Sequence, residues 1–106
     1  FDGSGIANFP KAKMSDDKLL KVPATSKQLF KNFHLHVEFL IPYRGPSGGN
    51  SGVYLQNCYE IQVFDSFGGQ RSPSGCGGIY VFRAPDVNAS LPPLAWQTFD
   101  VDFTAA

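Results

Sequence analysis

Three polar side chains, Glu60, Gln62 and Asp65, follow one another at the spacing of an extended strand. Residues 59–63 alternate apolar and polar, which places Glu60 and Gln62 together on one face of such a strand. Strict alternation turns Asp65 to the opposite face, but a β-bulge at Phe64 would return it. Two carboxylates and an amide in a row can serve as acid, base and hydrogen-bonding groups around a polyhydroxylated ligand. A solvated face of an antiparallel sheet is the alternative explanation of the same pattern.

A second polar pair, His36 and Glu38, lies on the clearest predicted strand of the chain, residues 33–41. Apolar residues alternate with the others along this stretch, which predicts one buried and one exposed face. The pair is then either an exposed row of cross-strand contacts or a contribution of two ligands to a metal ion. Two ligands by themselves do not make a metal site.

The remaining elements are shorter. Residues 1–14 are predicted to be an irregular entry, and residues 26–30 fit either one helical turn or a strand. Alternating or apolar runs predict further strands at residues 19–22, 53–56, 79–83 and 96–103. The run 53–56 is expected to form a hairpin with the Glu60 strand. Aromatic residues that can stack on a sugar ring accompany these strands, although a Trp at the edge of a core is as common: Tyr54, Tyr80 and Trp96.

The composition indicates one globular all-β domain. The chain has 106 residues, of which 42% are hydrophobic and 14% aromatic, with 11 Gly and 8 Pro that divide it into short segments. No stretch is apolar over the roughly 18 residues that a membrane helix needs. Nine basic and nine acidic residues cancel, which argues against nucleic acid or an anionic membrane as the partner.

Charge is nevertheless uneven along the chain. All six Lys lie at or before Lys31, whereas the part from Asn32 onward carries three Arg and six carboxylates. A mildly acidic and aromatic region suits a neutral sugar or a cation better than a phosphate. The two cysteines, Cys58 and Cys76, fit one disulfide or two buried thiols equally well.

Several sequence segments, taken in order along the chain, resemble the DUF1080 family of 3-keto-disaccharide (3-keto-glycoside) hydrolases. They are residues 33–39, Gly49-Asn50-Ser51-Gly52 with the following strand, residues 59–66, Cys76-Gly77-Gly78-Ile79-Tyr80, Ala84-Pro85 with residues 87–89, and residues 92–100. The opening Phe1-Asp2-Gly3 is also similar to the start of the family. The resemblance runs through most of the chain from Phe33 onward.

The resemblance implies a concanavalin A-like jelly-roll sandwich in an exported bacterial protein, periplasmic or extracellular, with its site on the concave face of one sheet. Glu60, Gln62 and Asp65 match the family's Glu-x-Gln-x-x-Asp row, and Asn50 with Gly52 matches its Asn-Ser-Gly loop. His36 and Glu38 match the polar face of the neighbouring strand. Arg44 lies in a Pro- and Gly-rich loop that varies among members. The row is also similar to the bulged acidic motif of laminarinase-like glucanases, with Gln62 in place of an acidic residue.

The chain also departs from the family. Residues 1–21 are shorter than the usual start and lack its common Trp, and members continue beyond the point where this chain ends. We therefore expect either a fragment or a sandwich completed by another chain. Such a chain is expected to self-associate, because uncovered strand edges and core surfaces pair with other molecules.

The expected function is hydrolysis of a 3-keto-glycoside or 3-keto-disaccharide by proton abstraction and elimination followed by hydration. Glu60 and Asp65 are the expected catalytic groups, and the expected substrate-binding residues are Gln62, His36, Glu38, Arg44, Asn50, Tyr54, Tyr80 and Trp96. No redox cofactor is needed. A divalent cation would stabilise the enolate, but the sequence establishes no ligand set. A carbohydrate-binding module and an inactive fragment on the same fold are the alternatives.

Overall fold

A computed structural model describes residues 1–45 and 49–105, and this part of the chain is all-β. It divides into two compact units, Phe1–Phe30 and Lys31–Ala106. Over the described residues there is no α-helix, and no helix is long and apolar enough to cross a membrane. The strands are β1 Lys13–Met14, β2 Leu20–Lys21, β3 Phe33–Leu40, β4 Ser51–Leu55, β5 Tyr59–Val63 and β6 Trp96–Phe103.

The first unit contains a two-residue ladder. Strands β1 and β2 pair antiparallel, with Met14 opposite Leu20. The Ser15 hydroxyl accepts a hydrogen bond from the Leu19 N–H at 3.0 Å, which closes the turn between the two strands. The prediction of a strand at residues 19–22 is confirmed over two residues, whereas β1 was missed because two exposed residues give no periodic signal. Residues 26–30 form neither a helical turn nor a strand.

In the second unit, β3 and β6 form the longest ladder. They pair antiparallel over eight residues, from Phe33 opposite Phe103 to Leu40 opposite Trp96. Aromatic rings meet on one face, with the Phe33 and Phe103 centroids 5.0 Å apart. The alternation of half-buried and exposed residues along both strands confirms that each has one apolar and one polar face.

Strands β4 and β5 form the predicted hairpin. Their register runs without interruption from Leu55 opposite Tyr59 to Ser51 opposite Val63. The connection has three residues, 56–58, in which Gln56 and Asn57 both have positive φ and the Cys58 N–H donates to the Leu55 carbonyl at 3.1 Å. A two-residue turn would pair Leu55 with Cys58, whereas the observed register pairs Leu55 with Tyr59 and leaves Cys58 in the connection.

The segment after the hairpin returns along the open edge of β5. The Gln62 N–H donates to the Gly78 carbonyl at 2.9 Å, and the Gly77 N–H donates to the Gln62 carbonyl at 2.8 Å. The prediction of a strand at residues 79–83 is wrong. The chain folds into a tight turn there, and Val81 has a φ of 65°. Five apolar-rich residues fit a turn or a strand equally well when only their periodicity is known.

One ring contact joins the apolar sides of the two strand pairs. The rings of Tyr59 and Phe103 lie 6.1 Å apart, and both belong to the apolar faces of their pairs. The buried hydrophobic residues of this unit are Ile41, Leu55, Ile61, Val63 and Cys76. The polar row of each pair lies on the side away from the contact between Tyr59 and Phe103. This arrangement confirms an all-β, partial β-sandwich fold.

Both cysteines are free thiols. Cys58 is exposed in the hairpin turn, whereas Cys76 is buried in the segment that lines β5. The sequence left open one disulfide or two buried thiols. The structure has two thiols, of which only Cys76 is buried.

Candidate functional site

Glu60 is held on the outer face of the hairpin by the two residues nearest to it on β4. Tyr54 lies opposite Glu60, and its hydroxyl donates a hydrogen bond to the Glu60 carboxylate. This hydrogen bond, together with the negative charge of Glu60, raises the pKa of the Tyr54 phenol above its usual value. Gly52 provides the space for the carboxylate, because a Cβ at position 52 would overlap the end of the Glu60 side chain. The carboxylate therefore has the Tyr54 hydroxyl beside it and the backbone of Gly52, which carries no side chain, beneath it.

Gln62 is buried beside Glu60 on the same face and is only 2% exposed. Its Nε2 donates hydrogen bonds to the Asn50 Oδ1 and to the Ser74 carbonyl, each at 3.2 Å. Its Oε1 is buried and has no hydrogen-bond partner among the residues that the structure describes. The Gln62 amide thus forms hydrogen bonds both with the loop before β4 and with the segment that covers the edge of β5.

Two phenol rings border this group. Tyr54 is 64% exposed and Tyr80 is 40% exposed. The Tyr80 N–H donates to the Glu60 carbonyl at 2.9 Å, which fixes Tyr80 beside the strand that carries the carboxylate. A carboxylate, amides and phenols on one surface can stack on a sugar ring and hydrogen-bond its hydroxyl groups. We name Asn50, Tyr54, Glu60, Gln62 and Tyr80 the hairpin cluster.

The outer face of β3 and β6 carries a different polar group, the His–carboxylate ladder of His34, His36, Glu38, Asp100 and Asp102. The His36 Nδ1 lies 2.7 Å from the Asp100 Oδ1, and its Nε2 lies 3.3 Å from the Glu38 Oε2. The His34 Nδ1 lies 2.8 Å from the Asp102 Oδ1. Hydrogen bonds with Asp100 and then Glu38 raise the pKa of His36 above its usual value. All five side chains are exposed.

A family model for the 3-keto-alpha-glucoside-1,2-lyase-like domain matches residues 8–106 of the chain. The chain belongs to this 3-keto-alpha-glucoside-1,2-lyase-like family. A crystal structure from Parabacteroides distasonis ATCC 8503, of a candidate glycosyl hydrolase, is similar with 29% identity and a TM-score of 0.84. The similarity covers 99% of this chain and 51% of that one, so the chain spans about half the length of the matched structure. A search of curated proteins gave no match.

In this 3-keto-alpha-glucoside-1,2-lyase-like chain, the structure brings together only some of the predicted site residues. Asn50, Tyr54, Glu60, Gln62 and Tyr80 share the hairpin cluster. The strand of His36 and Glu38 is not a neighbour of β5, because β3 pairs with β6 and β5 pairs with β4. This corrects the expectation of adjacent strands.

The structure also separates Trp96 from the two tyrosines. Trp96 begins β6 and alternates onto the face of the His–carboxylate ladder, where it is 52% exposed. It lies opposite Leu40, at the end of the ladder distant from Phe33 and Phe103. Of the three predicted stacking residues, Tyr54 and Tyr80 therefore border the Glu60 carboxylate, and Trp96 lies on the polar face of the other strand pair.

Two further predicted residues have no hydrogen bond to the cluster within the described part of the chain. Strand β5 ends at Val63, so the predicted bulge at Phe64 is not part of the ladder. Asp65 is half-buried after the strand and accepts a hydrogen bond from the Phe67 N–H at 3.4 Å, which makes a local turn. Arg44 is exposed. The predicted loop of residues 42–49 includes residues 46–48, which lie outside the described part of the chain.

No group of three or more His, Cys, Asp or Glu side chains in residues 1–45 and 49–105 is arranged to hold a metal ion. The His–carboxylate ladder has the right residue types, but its nitrogen and oxygen atoms are directed at one another in hydrogen bonds. The described residues thus provide no ligand set for the divalent cation that the elimination chemistry would allow.

Four residues that contribute to these surfaces were not predicted as site residues from the sequence. Ser74 acts through its backbone carbonyl, which no side-chain pattern reveals. His34 and the pair Asp100 and Asp102 were visible on their strands, but their meeting depends on the register between segments more than 60 residues apart. A search for opposite charges at matching positions of the two longest predicted strands would have found that register.

Proposed function

We propose that this chain contributes the catalytic carboxylate of an enzyme that cleaves 3-keto-glycosides by elimination and hydration. The observation that carries the proposal is the position of Glu60, one of only two glutamates in the sequence. Its carboxylate lies over Gly52, accepts a hydrogen bond from Tyr54 and shares its face with polar and aromatic side chains. Membership of the 3-keto-alpha-glucoside-1,2-lyase-like family supports the substrate class and the elimination step.

The chemistry starts at the carbon next to the ketone. A ketone at C3 acidifies the proton at C2, so the Glu60 carboxylate is placed to act as the general base that removes it. The electron pair of the broken C–H bond passes to the ketone oxygen and forms an enolate. When the ketone is restored, a C1=C2 double bond forms and the C1–O bond to the leaving group breaks.

The leaving oxygen then needs a proton. Protonated Glu60 can supply it, and Asp65 remains the predicted partner acid for this step. Water subsequently adds across the double bond, with hydroxide bound at C1 and a proton at C2, which completes the net hydrolysis. No electron leaves the sugar during these steps, so the reaction as proposed needs no redox cofactor.

The test is the turnover of a 3-keto-α-glucoside by the wild-type chain and by Glu60→Gln. The amide keeps the shape of the side chain but cannot take a proton, so kcat is expected to fall by about 10²- to 10⁴-fold. Ligand binding, measured by calorimetry, is expected to change little. Asp16→Asn is the matched control, because it makes the same carboxylate-to-amide change at an exposed position of the first unit.

Two outcomes would overturn the proposal. Wild-type turnover by Glu60→Gln would mean that another group removes the proton. A wild-type chain that binds the sugar but never cleaves it would favour a carbohydrate-binding module, for which the exposed Tyr54 and Tyr80 would be the main contacts.

A further inference from the structure

The hydrogen bonds of Gln62 determine which way a neighbouring amide points. The Ser74 carbonyl can only accept a hydrogen bond, so the side-chain nitrogen of Gln62, not its oxygen, must face it. The same nitrogen faces the side chain of Asn50, so the atom that Asn50 directs inward must be its oxygen. The Asn50 Nδ2 therefore points away from Gln62, and Asn50 is an exposed residue.

The remaining atom of Gln62 shows that this orientation has a cost. Its Oε1 is buried without a partner among the described residues, and an unsatisfied buried acceptor is ordinarily unfavourable. Reversing the amide would not remove the problem, because the Ser74 carbonyl would then lose its donor. The two N–H groups of Gln62 are therefore the hydrogen-bonded part of its side chain. We infer that their role is to hold the Asn50 side chain in one orientation.

We propose that Asn50 presents its side-chain N–H groups to the ketone oxygen of the substrate and stabilises the enolate, with Gln62 as the positioning residue behind it. This inference rests on the proposed function of Glu60. With its oxygen directed at Gln62, Asn50 presents its NH₂ end outward, and this end can only donate, which suits a ketone oxygen that gains negative charge during the reaction.

The spacing of the two groups fits neighbouring carbon atoms of one sugar ring. Asn50 precedes Gly52 by two residues, which is about 6.6 Å along an extended chain. The Glu60 carboxylate lies over Gly52, and the hydrogen bond to Gln62 places the Asn50 side chain on the same face. If the base lies about 3 Å from the C2 proton and the donor about 3 Å from the C3 oxygen, the base and the donor are separated by a similar distance.

The first experiment compares Asn50→Asp with Asn57→Asp in steady-state turnover of a 3-keto-α-glucoside. Asn50→Asp keeps the shape, removes the donor and adds negative charge beside the enolate, so kcat is expected to fall by about 10²- to 10³-fold with a much smaller change in KM. Asn57→Asp places the same charge in the exposed hairpin turn, at a positive φ that Asp tolerates, and should change neither constant.

The second experiment tests whether Gln62 acts through Asn50. Gln62→Met removes both donated hydrogen bonds and should lower kcat in the wild-type background but not further in an Asn50→Ala background. Independent effects that simply multiply would show that Gln62 has only a structural role. Thermal melting identifies any variant that does not fold, and the Asn50 variants alone then decide the proposal.

A binding measurement separates failure of this inference from failure of the proposed function. The side-chain NH₂ signals of Asn50 in a ¹⁵N spectrum should shift when a 3-keto-α-glucoside is added, and those of Asn57 should not. Normal turnover by Asn50→Asp, with unshifted Asn50 signals, overturns the inference and leaves the role of Glu60 intact. Shifted Asn50 signals without any wild-type turnover overturn the proposed function and retain Asn50 as a ligand contact.

Discussion

The hairpin cluster and the His–carboxylate ladder are both polar rows on antiparallel strands, yet they differ in how their groups are used. In the ladder, the charged groups are exposed and hydrogen-bonded to one another across the sheet. In the hairpin cluster, a glycine leaves space for a carboxylate, and a buried amide orients the side chain next to it. The groups of the ladder satisfy one another at the surface, whereas the hydrogen bond from Gln62 to the Asn50 oxygen leaves the Asn50 Nδ2 directed away from Gln62.

The largest effect that sharpens this comparison is expected from Gly52→Ala. The new methyl group would occupy the place of the Glu60 carboxylate. Because the obstructing atoms are the end of a flexible side chain, Glu60 should move and the fold should survive. We expect kcat for a 3-keto-α-glucoside to fall on the order of 10²-fold, since a displacement of about 1 Å can cost that much.

Gly5→Ala is the matched control, because no atom lies within 4 Å of a Cβ at that position. Both variants should melt close to the wild-type temperature. If Gly52→Ala kept full activity, or lost it only by unfolding, the carboxylate would not need the space that Gly52 provides.

A smaller effect is expected for the ladder and concerns stability and its dependence on pH. The pKa of His36 is raised by Asp100 and Glu38, so the folded protein holds the proton more tightly than the unfolded chain does. The resulting stabilisation is complete below the unfolded pKa, near 6.5, and is lost as pH rises through the folded value. His34 and Asp102 face the same surface, and the His34 Nε2 lies 3.7 Å from the Asp100 Oδ1.

Urea unfolding between pH 5.5 and 8.5 measures this effect. The wild-type midpoint should decrease with rising pH more than that of His36→Gln, and the difference should be modest because the pairs are exposed. Identical pH profiles for the two proteins would show that the ladder does not contribute to stability through His36.

The smallest effect is expected from Glu38→Gln, which changes the second glutamate of the sequence. Glu38 is exposed on β3, which pairs with β6 and not with the strands of the hairpin cluster. Its substitution should leave kcat and KM for a 3-keto-α-glucoside unchanged, in contrast with Glu60→Gln. A loss of turnover comparable to that of Glu60→Gln would show that the ladder takes part in catalysis and would remove the distinction between the two faces.

Much of the secondary structure could be predicted from the sequence, because period-two alternation is a local property. Residues 33–40 and 96–103 alternate over eight residues each, and both are strands with the expected faces. The hairpin of β4 and β5 was also predicted, with Glu60 and Gln62 on one side. Prediction failed at residues 79–83, where backbone hydrogen bonds to β5 and a positive φ at Val81 outweigh a short apolar run.

By itself the sequence determined the alternating faces and the family resemblance that singled out Glu60, Gln62 and Asn50. Only the tertiary structure decided which faces meet. The pairing of β3 with β6 joins residues 56 to 70 positions apart, and it places His36, Glu38 and Trp96 on a strand pair separate from that of Glu60. Periodicity defines the side of a strand but not its neighbour, because burial of a shared apolar face between distant segments selects the pairing.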